Sequence, residues 1–466
     1  MSSTLGEKLS GAGQQHLLRF WNELSDADQQ TLAGEIEPID FDQIARLHAG
    51  ELAGEDWAAL AGRAEPPPAF RLDARGNRFT AAEARSRGMQ ALQAGEVGAV
   101  LVAGGQGTRL GFDHPKGMFP IGPVSQATIF QILFEKLIAV GRRYGAAIPL
   151  YLMTSPATDA ETRDFLVSTE RFGLPADDLR VFCQGTMPAI DAQTGKLLLA
   201  EKGRLALSPD GHGGTLRALQ RSGSLSDMRG RGLKQLFYFQ VDNPLVAMCD
   251  PEFMGYHLLA GAEMSTQVVA KRTPRDSVGN VVSIDGRMRI IEYSDLNPLP
   301  VDAVTRTDRL GQAVFWAGNV AVHAFDLAFL DRMASQPESL PFHVAKKKVP
   351  YIDDTGNQIE PDQPNAKKFE RFIFDLLPAA REALVMEVDE RRVFAPVKNA
   401  SGAERDSPET VRSQMSDLHR EWLQQAGAEV PANVNVEISP LFALDAEELA
   451  RRIMRGMKLQ SATYLH

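Results

Sequence analysis

The run Ala99, Val100, Leu101, Val102, Ala103 passes without a polar residue into GGQGTRLGFDHPKG, a loop carrying Gly104, Gly105, Gly107, Arg109 and Lys116. An apolar stretch without alternation reads as a strand buried on both faces, the kind found in a parallel sheet covered by helices. Glycines placed directly after it remove the Cβ atoms that would hold a ligand off. Successive N–H groups at the carboxyl end of the strand can then face anionic oxygens. Arg109 supplies a planar fork and Lys116 a mobile point charge, and both sit on the same short, strand-anchored segment. The loop calls for an α/β architecture and a phosphate-bearing ligand.

The chain around it has matching texture. Val97 to Ala103, Ile148 to Met153, Leu236 to Val241 and Thr266 to Ala270 are expected strands, and Ile129, Ile132, Leu133, Leu137 and Val140 trace one face of a helix. Ser155-Pro156 suggests a helix start, and Asp285-Gly286 a hairpin turn that makes the sheet mixed. Leu17, Leu18, Trp21 and Leu24 fall at helical spacing before Ser25, a possible cap. Pro66, Pro67 and Pro68 break that pattern into an extended connection. After Val393 we expect a short strand, a loop with Asp406 and Pro408, a helix through Trp422, a strand at Val434 to Ile438 and a last helix from Asp445. At 466 residues the prior is roughly three units. We place a helical N-terminal region at 1–90, a catalytic domain at 91–392 and a small C-terminal α/β domain at 393–466.

Composition removes several classes of function. Asp and Glu outnumber Lys and Arg by 60 to 50, a formal charge of -10, which argues against a nucleic-acid partner gripped by its phosphates. Hydrophobic content of 44% with 24% charged residues is that of a folded chain rather than a disordered or fibrous one. Cys183 and Cys249 are the only cysteines, too few for a disulfide framework or a cysteine-built zinc site. With no signal-peptide pattern at the start and no apolar run of about 18 residues, a cytoplasmic setting without a membrane partner is expected. The histidines, including His257, His323 and His343, lack metal-ligand spacing and read as structural. The basic run Lys346-Lys347-Lys348 reads as a solvated face.

Three glycine-loop chemistries compete, and spacing separates them. A phosphate loop of the NTPase type needs a Ser or Thr after its Gly-Lys pair, whereas Gly117 follows Lys116. A dinucleotide fingerprint fits Gly105 and Gly107 but puts Leu110 where the third glycine belongs. A merely structural turn explains the glycines but not both cations. Asp242 closes the apolar strand Leu236 to Val241, where a carboxylate faces a cleft and can bind magnesium together with phosphate oxygens.

The segment GGQGTRLGFDHPKGMFPIG resembles the signature loop of the eukaryotic-type UDP-sugar pyrophosphorylases, nearest to their UDP-N-acetylhexosamine branch. CQGTMPAI, SPDGHGGTLRAL, FYFQVDNPLVAMCDPEFMGYH, IEYSDL, WAGNVAVHAF, PFHVAKKKVPYID, KKFERFIFD and FAPVKNASGAERDSPET resemble that family's further blocks in order, over roughly residues 95–410. The resemblance implies a Rossmann-like nucleotidyltransferase, with a mixed, mostly parallel sheet and helices on both faces. It implies the reaction of UTP with a sugar 1-phosphate, N-acetylglucosamine 1-phosphate or a related hexose, to UDP-sugar and pyrophosphate with Mg2+ or Mn2+. Matched position by position, it implies Arg109, Lys116 and Lys398 at the phosphates and Asp242 on the metal. Gln184 with the backbone of Gly104 and Gly213 falls at the uracil, and Gly279, Glu292 and Asn319 at the sugar. His212 stands where the nearest branch usually has Asn, and its Gly-His-Gly setting resembles the UDP-glucose and broad UDP-sugar relatives. A monomer or weak oligomer is expected. Two alternatives stay open: a nucleotidylyltransferase using another base, and a nucleotide-sugar-binding regulator without catalysis.

Overall fold

The computed structural model describes residues 2–52, 57–336 and 340–466. Its contacts gather the chain into two compact units, each assembled from three separate stretches: Met1–Asp56, Gln184–Gly214 and Pro337–Asp375 in one, Trp57–Cys183, Thr215–Gln336 and Leu376–His466 in the other. The boundaries expected at 90 and 393 mark changes of texture along the chain, whereas these units are joined through space.

The larger unit is built on a nine-stranded mixed sheet. Its strands are β1 Val97–Val102, β2 Leu150–Thr154, β3 Leu179–Cys183, β4 Gln235–Gln240, β5 Met264–Ala270, β6 Asn280–Ile284, β7 Arg287–Ile291, β8 Ala317–Asp326 and β9 Ala383–Glu387. They run in the order β7-β6-β8-β4-β1-β2-β3, with β5 pairing β8 and β9. The pairs β4–β1, β1–β2, β2–β3 and β5–β9 are parallel, and the antiparallel contacts all involve β8 or the β6–β7 hairpin. Asp285 and Gly286 turn that hairpin at φ 50° and 77°, the left-handed pair that matches strand twist. Val102 lies opposite both Met153 and Gln240. Three parallel strands therefore end at one level, and the loops after each emerge along the same edge of the sheet.

The helix Ile129–Tyr144, capped by Thr128, buries Phe130, Leu133, Phe134, Leu137 and Val140 in the core that includes β1. Near the C-terminus, Ser407 and Thr410 form a capping box for the helix Pro408–Gln425. Leu423, Val436, Ile438 and Leu449 make a second, smaller core there. Two local expectations need correcting. Residues 394–398 form no strand, because Ala395 N–H goes to the Asn243 side chain at 3.0 Å and Val397 N–H to the Asp242 carbonyl at 2.8 Å instead of to a ladder. The helix expected from Ser155 begins at Asp159, because the Ser155 hydroxyl donates to the Gly104 carbonyl at 2.7 Å rather than capping.

In the other unit the helices Ser2–Gly11, Asp26–Ile36 and Phe41–Ala49 share a core with Ile190, Phe342 and Phe369. Its three-stranded sheet orders His343–Lys347, Ala366–Glu370 and Ile190–Asp191. Leu17 to Leu24 form two short 3-10 turns rather than one helix, and the Ser25 hydroxyl accepts from Asp28 N–H as a cap. Among the described residues no helix is long and apolar enough to cross a membrane.

Candidate active site

The loop after β1 is closed by its own backbone. Lys116 N–H donates to the Gly105 carbonyl at 3.1 Å, Gly107 N–H to His114 at 2.9 Å, and Phe112 N–H back to Gly107 at 3.2 Å. The His114 ring is hydrogen-bonded to the Glu161 carboxylate on the helix Asp159–Ser168. Two glycines here do different work. A Cβ on Gly107 would lie 2.7 Å from the Phe112 carbonyl oxygen, so that glycine lets the loop close on itself. A Cβ on Gly105 would meet nothing within 4 Å, so that glycine faces open space at the end of the strand.

On the same loop, Lys116 interacts with three other charged residues. Lys116 Nζ donates to the Val397 carbonyl at 3.3 Å. Burial lowers its pKa from the ordinary lysine value; Asp242 draws it back up, while Lys398 and Arg109 repel it. Asp242 follows β4, with Val241 N–H bonded to Val102 at 3.0 Å, and it reaches the 393–398 segment through its own carbonyl. Lys116, Asp242 and Lys398 are thus tied to one another through main-chain atoms as well as charge.

Asp406, which sequence reasoning left as a loop residue, belongs to the same cluster. Its carbonyl accepts from Lys398 N–H at 2.8 Å and Asn399 N–H at 3.0 Å, and its φ is 55°. Burial raises the pKa of its carboxyl group, the Lys398 charge opposes that and the Asp242 charge adds to it. Among the described residues no group of three or more His, Cys, Asp or Glu side chains is placed to hold a metal. The donor set suits a hard divalent cation that keeps water and takes substrate phosphates alongside one or two carboxylates.

A second group lies on the same unit around β6 and β8. A Cβ on Gly279 would sit 2.9 Å from Glu292 Oε1, and Asn319 N–H donates to the Gly279 carbonyl at 2.8 Å. The Asn319 side-chain oxygen accepts from Thr266 Oγ1 at 3.2 Å and from Ala321 N–H at 3.0 Å. Ala321 has φ 56°, and the β5–β8 register slips between Thr266 and Val268, so the strand is irregular where Asn319 sits. The structure thus joins Gly279, Glu292 and Asn319, which the sequence spreads over 41 positions (319 minus 279, plus one).

Gln184, His212 and Gly213 belong to the other unit. Gln184 is buried. Gly213 N–H donates to the Arg371 carbonyl at 2.7 Å, and a Cβ there would lie 2.6 Å from that carbonyl carbon, so only glycine fits. His212 stacks on Phe372 at 5.1 Å and packs against Phe374 at 5.4 Å, and its Nδ1 accepts from Ile373 N–H at 3.2 Å. Burial, with a smaller push from His343, brings its pKa down to about 3. The ring is therefore neutral, with its proton on Nε2. His343 is bonded to Asp375 at 2.8 Å, and His257 to Ser265 and Gln235 at 2.7 and 2.8 Å, as structural histidines are.

Comparison with known proteins bears on this arrangement. Residues 80–460 match the family model for UTP–glucose-1-phosphate uridylyltransferase. The chain is 37% identical to the UDP-N-acetylhexosamine pyrophosphorylase-like protein 1 of Xenopus tropicalis, over 89% of this chain and 83% of that protein. It is 34% identical to the UDP-N-acetylglucosamine pyrophosphorylase of Saccharomyces cerevisiae, over 94% of this chain and 95% of that one. The inhibitor-bound uridine diphosphate N-acetylglucosamine pyrophosphorylase of Trypanosoma brucei superposes with a TM-score of 0.81 at 28% identity, covering 96% of this chain and 93% of that structure.

Proposed function

Since the chain belongs to the UTP–glucose-1-phosphate uridylyltransferase family, we propose that the sugar it activates is N-acetylglucosamine 1-phosphate or a closely related hexose 1-phosphate. It is a uridylyltransferase: UTP and a sugar 1-phosphate give UDP-sugar and pyrophosphate. A phosphate oxygen of the sugar 1-phosphate attacks the α-phosphorus in line. The bond from that phosphorus to the bridging oxygen breaks, and pyrophosphate leaves with its electron pair. No protein nucleophile is needed, so the protein's work is to hold two anions together and to neutralise the charge that builds on the leaving group.

The observation that carries this reading is the gathering of Arg109, Asp242 and Lys398 around Lys116, whose loop also carries the open side of Gly105. In it the loop N–H groups and Arg109 bind the triphosphate, Lys116 reaches the α-phosphate, and Lys398 meets the charge of the transition state. Asp242 would hold Mg2+ or Mn2+, with Asp406 as a neighbouring carboxylate; there the cation would supply neutralisation of phosphate charge. In the larger unit the backbone of Gly104 is assigned to the uracil and Gly279, Glu292 and Asn319 to the sugar; in the other unit Gln184 and the backbone of Gly213 are assigned to the uracil and His212 to the sugar. Every assigned group comes from one chain, so a monomer or weak oligomer is sufficient. The two cysteines and the acidic composition support a cytoplasmic setting.

Turnover measured with UTP, ATP, GTP and dTTP against N-acetylglucosamine, N-acetylgalactosamine, glucose and galactose 1-phosphates tests the reading. We expect UTP to be preferred and an N-acetylhexosamine 1-phosphate to give the highest kcat/KM. A preference for another nucleotide, or no pyrophosphate release with any pair, would overturn it.

A further inference from the structure

Lys136 lies on the helix Ile129–Tyr144, remote in sequence from every residue assigned above. Lys136 is half-buried, and that burial draws its ammonium group down to about 7. Among the described residues it is bonded to no carboxylate. Its hydrogen bonds go to the carbonyls of Pro244 at 2.7 Å and Val246 at 2.9 Å. Burying an ammonium without a counter-charge costs stability, so the two bonds must achieve something that an apolar residue on this helix face would not.

Both carbonyls belong to the turn that leaves Asp242. The turn is held at one more residue: Asn243 donates to the Val393 carbonyl at 2.8 Å and accepts from Leu245 and Ala395 N–H at 3.2 and 3.0 Å. Asp242 therefore sits at the head of a short segment pinned to the 393–397 stretch on one side and to Lys136 on the other. Behind the turn, Lys136 lines a cavity of about 600 Å³ shared with Met415, Leu418, His419 and Trp422 of the C-terminal helix. The two bonds act together with the buried Leu245 and Val246 to hold the turn on the side that faces this cavity.

We propose that Lys136 is a positioning residue that fixes the turn after Asp242 and so presents the Asp242 carboxylate to the divalent cation. The inference rests on the assignment of Asp242 as metal ligand. Groups that orient a ligating carboxylate act on metal affinity first and on sugar binding little.

The test is Mn2+ binding, followed by electron paramagnetic resonance of the full chain with UTP, in wild type, Lys136→Met and Asp242→Asn. Lys136→Met keeps the length of the side chain and removes both donors. It should weaken Mn2+ roughly tenfold or more while the KM for sugar 1-phosphate stays at the wild-type value. Wild-type Mn2+ affinity in folded Lys136→Met, with Asp242→Asn impaired, overturns the role of Lys136 alone. Unimpaired Mn2+ binding in Asp242→Asn overturns the metal assignment itself. Should Lys136→Met not fold, Lys136→Gln replaces it. Its shorter amide cannot reach both carbonyls, so an affinity below wild type supports the inference and an unchanged one overturns it.

Discussion

The groups proposed for the phosphates and those proposed for recognition are built on opposite principles. At the phosphate end, the charges of Asp242, Lys398 and Arg109 all act on the Lys116 ammonium, on loops locked by main-chain hydrogen bonds. Among the proposed recognition groups, His212 in one unit is a neutral ring stacked on Phe372 and packed against Phe374, and Asn319 in the other is an amide whose oxygen is already committed. Charge that must be matched to a transition state has to be fixed before the substrate arrives. Discrimination between hexoses needs shape and single hydrogen bonds, which a charge would blur. Substitutions at the first end should therefore act on rate for every substrate, and those at the second on choice among sugars.

The largest expected effect tests the first half of that contrast. Lys116→Ala removes the ammonium that sits among the other three charged groups, and should lower kcat/KM by about 10²-fold or more, close to 3 kcal/mol of transition-state stabilisation. The loss should be similar with each sugar 1-phosphate that is turned over. A loss confined to one sugar would mean that the two ends are not separate, and undiminished pyrophosphate release would remove Lys116 from the chemistry.

A smaller effect separates space reserved for a ligand from space the protein needs. Gly105→Ala adds a methyl group where the structure has nothing within 4 Å, so the unliganded fold should tolerate it and the melting temperature should not move. If phosphates occupy that space, the KM for UTP should rise roughly tenfold or more, as expected when a backbone approach is blocked. Gly107→Ala is the control, since its methyl group would press on the Phe112 carbonyl and disturb the loop before any ligand binds. Wild-type UTP kinetics in Gly105→Ala would show that the open side of the loop is not the triphosphate site.

How much of this the sequence disclosed follows the same division. β1, its glycine loop, the two cations and Asp242 were legible because each is a local signal: an apolar run, then glycines, then charge. The assembly of each unit from three distant stretches was not, because composition changes along the chain while contacts form across it. Asp406 looked like an ordinary loop acid, and its place beside Lys398 depends on carbonyl bonds that no side-chain pattern records. Lys136 was hidden more deeply. The apolar face of its helix was read correctly through Ile129, Ile132, Leu133, Leu137 and Val140, and a lysine beside such a face is normally solvated. What it binds are main-chain oxygens of a turn over a hundred residues away. The neutrality of His212 likewise comes from Phe372, Phe374 and the enclosure they create, not from the Gly-His-Gly segment that drew attention to it.

That neutrality supplies the most delicate test, because the expected outcome is no change. An imidazole brought down to about 3 stays unprotonated from pH 5 to pH 8, whereas an unperturbed one changes charge near 6.5. The ratio of kcat/KM for N-acetylglucosamine 1-phosphate to that for glucose 1-phosphate should therefore be flat across that range, even where the individual rates vary with pH. Folding stability is a poorer probe of the same group. A histidine with a depressed folded pKa costs stability progressively as pH falls from 6.5 toward 3, since the unfolded chain takes the proton first. His257 and His419 are also brought to about 3 by burial and add the same acid sensitivity. Only the sugar ratio isolates His212. A sigmoidal change in that ratio centred near 6.5 would mean that the ring is charged when it meets the substrate, and the contrast between a charged phosphate end and a neutral recognition end would fail.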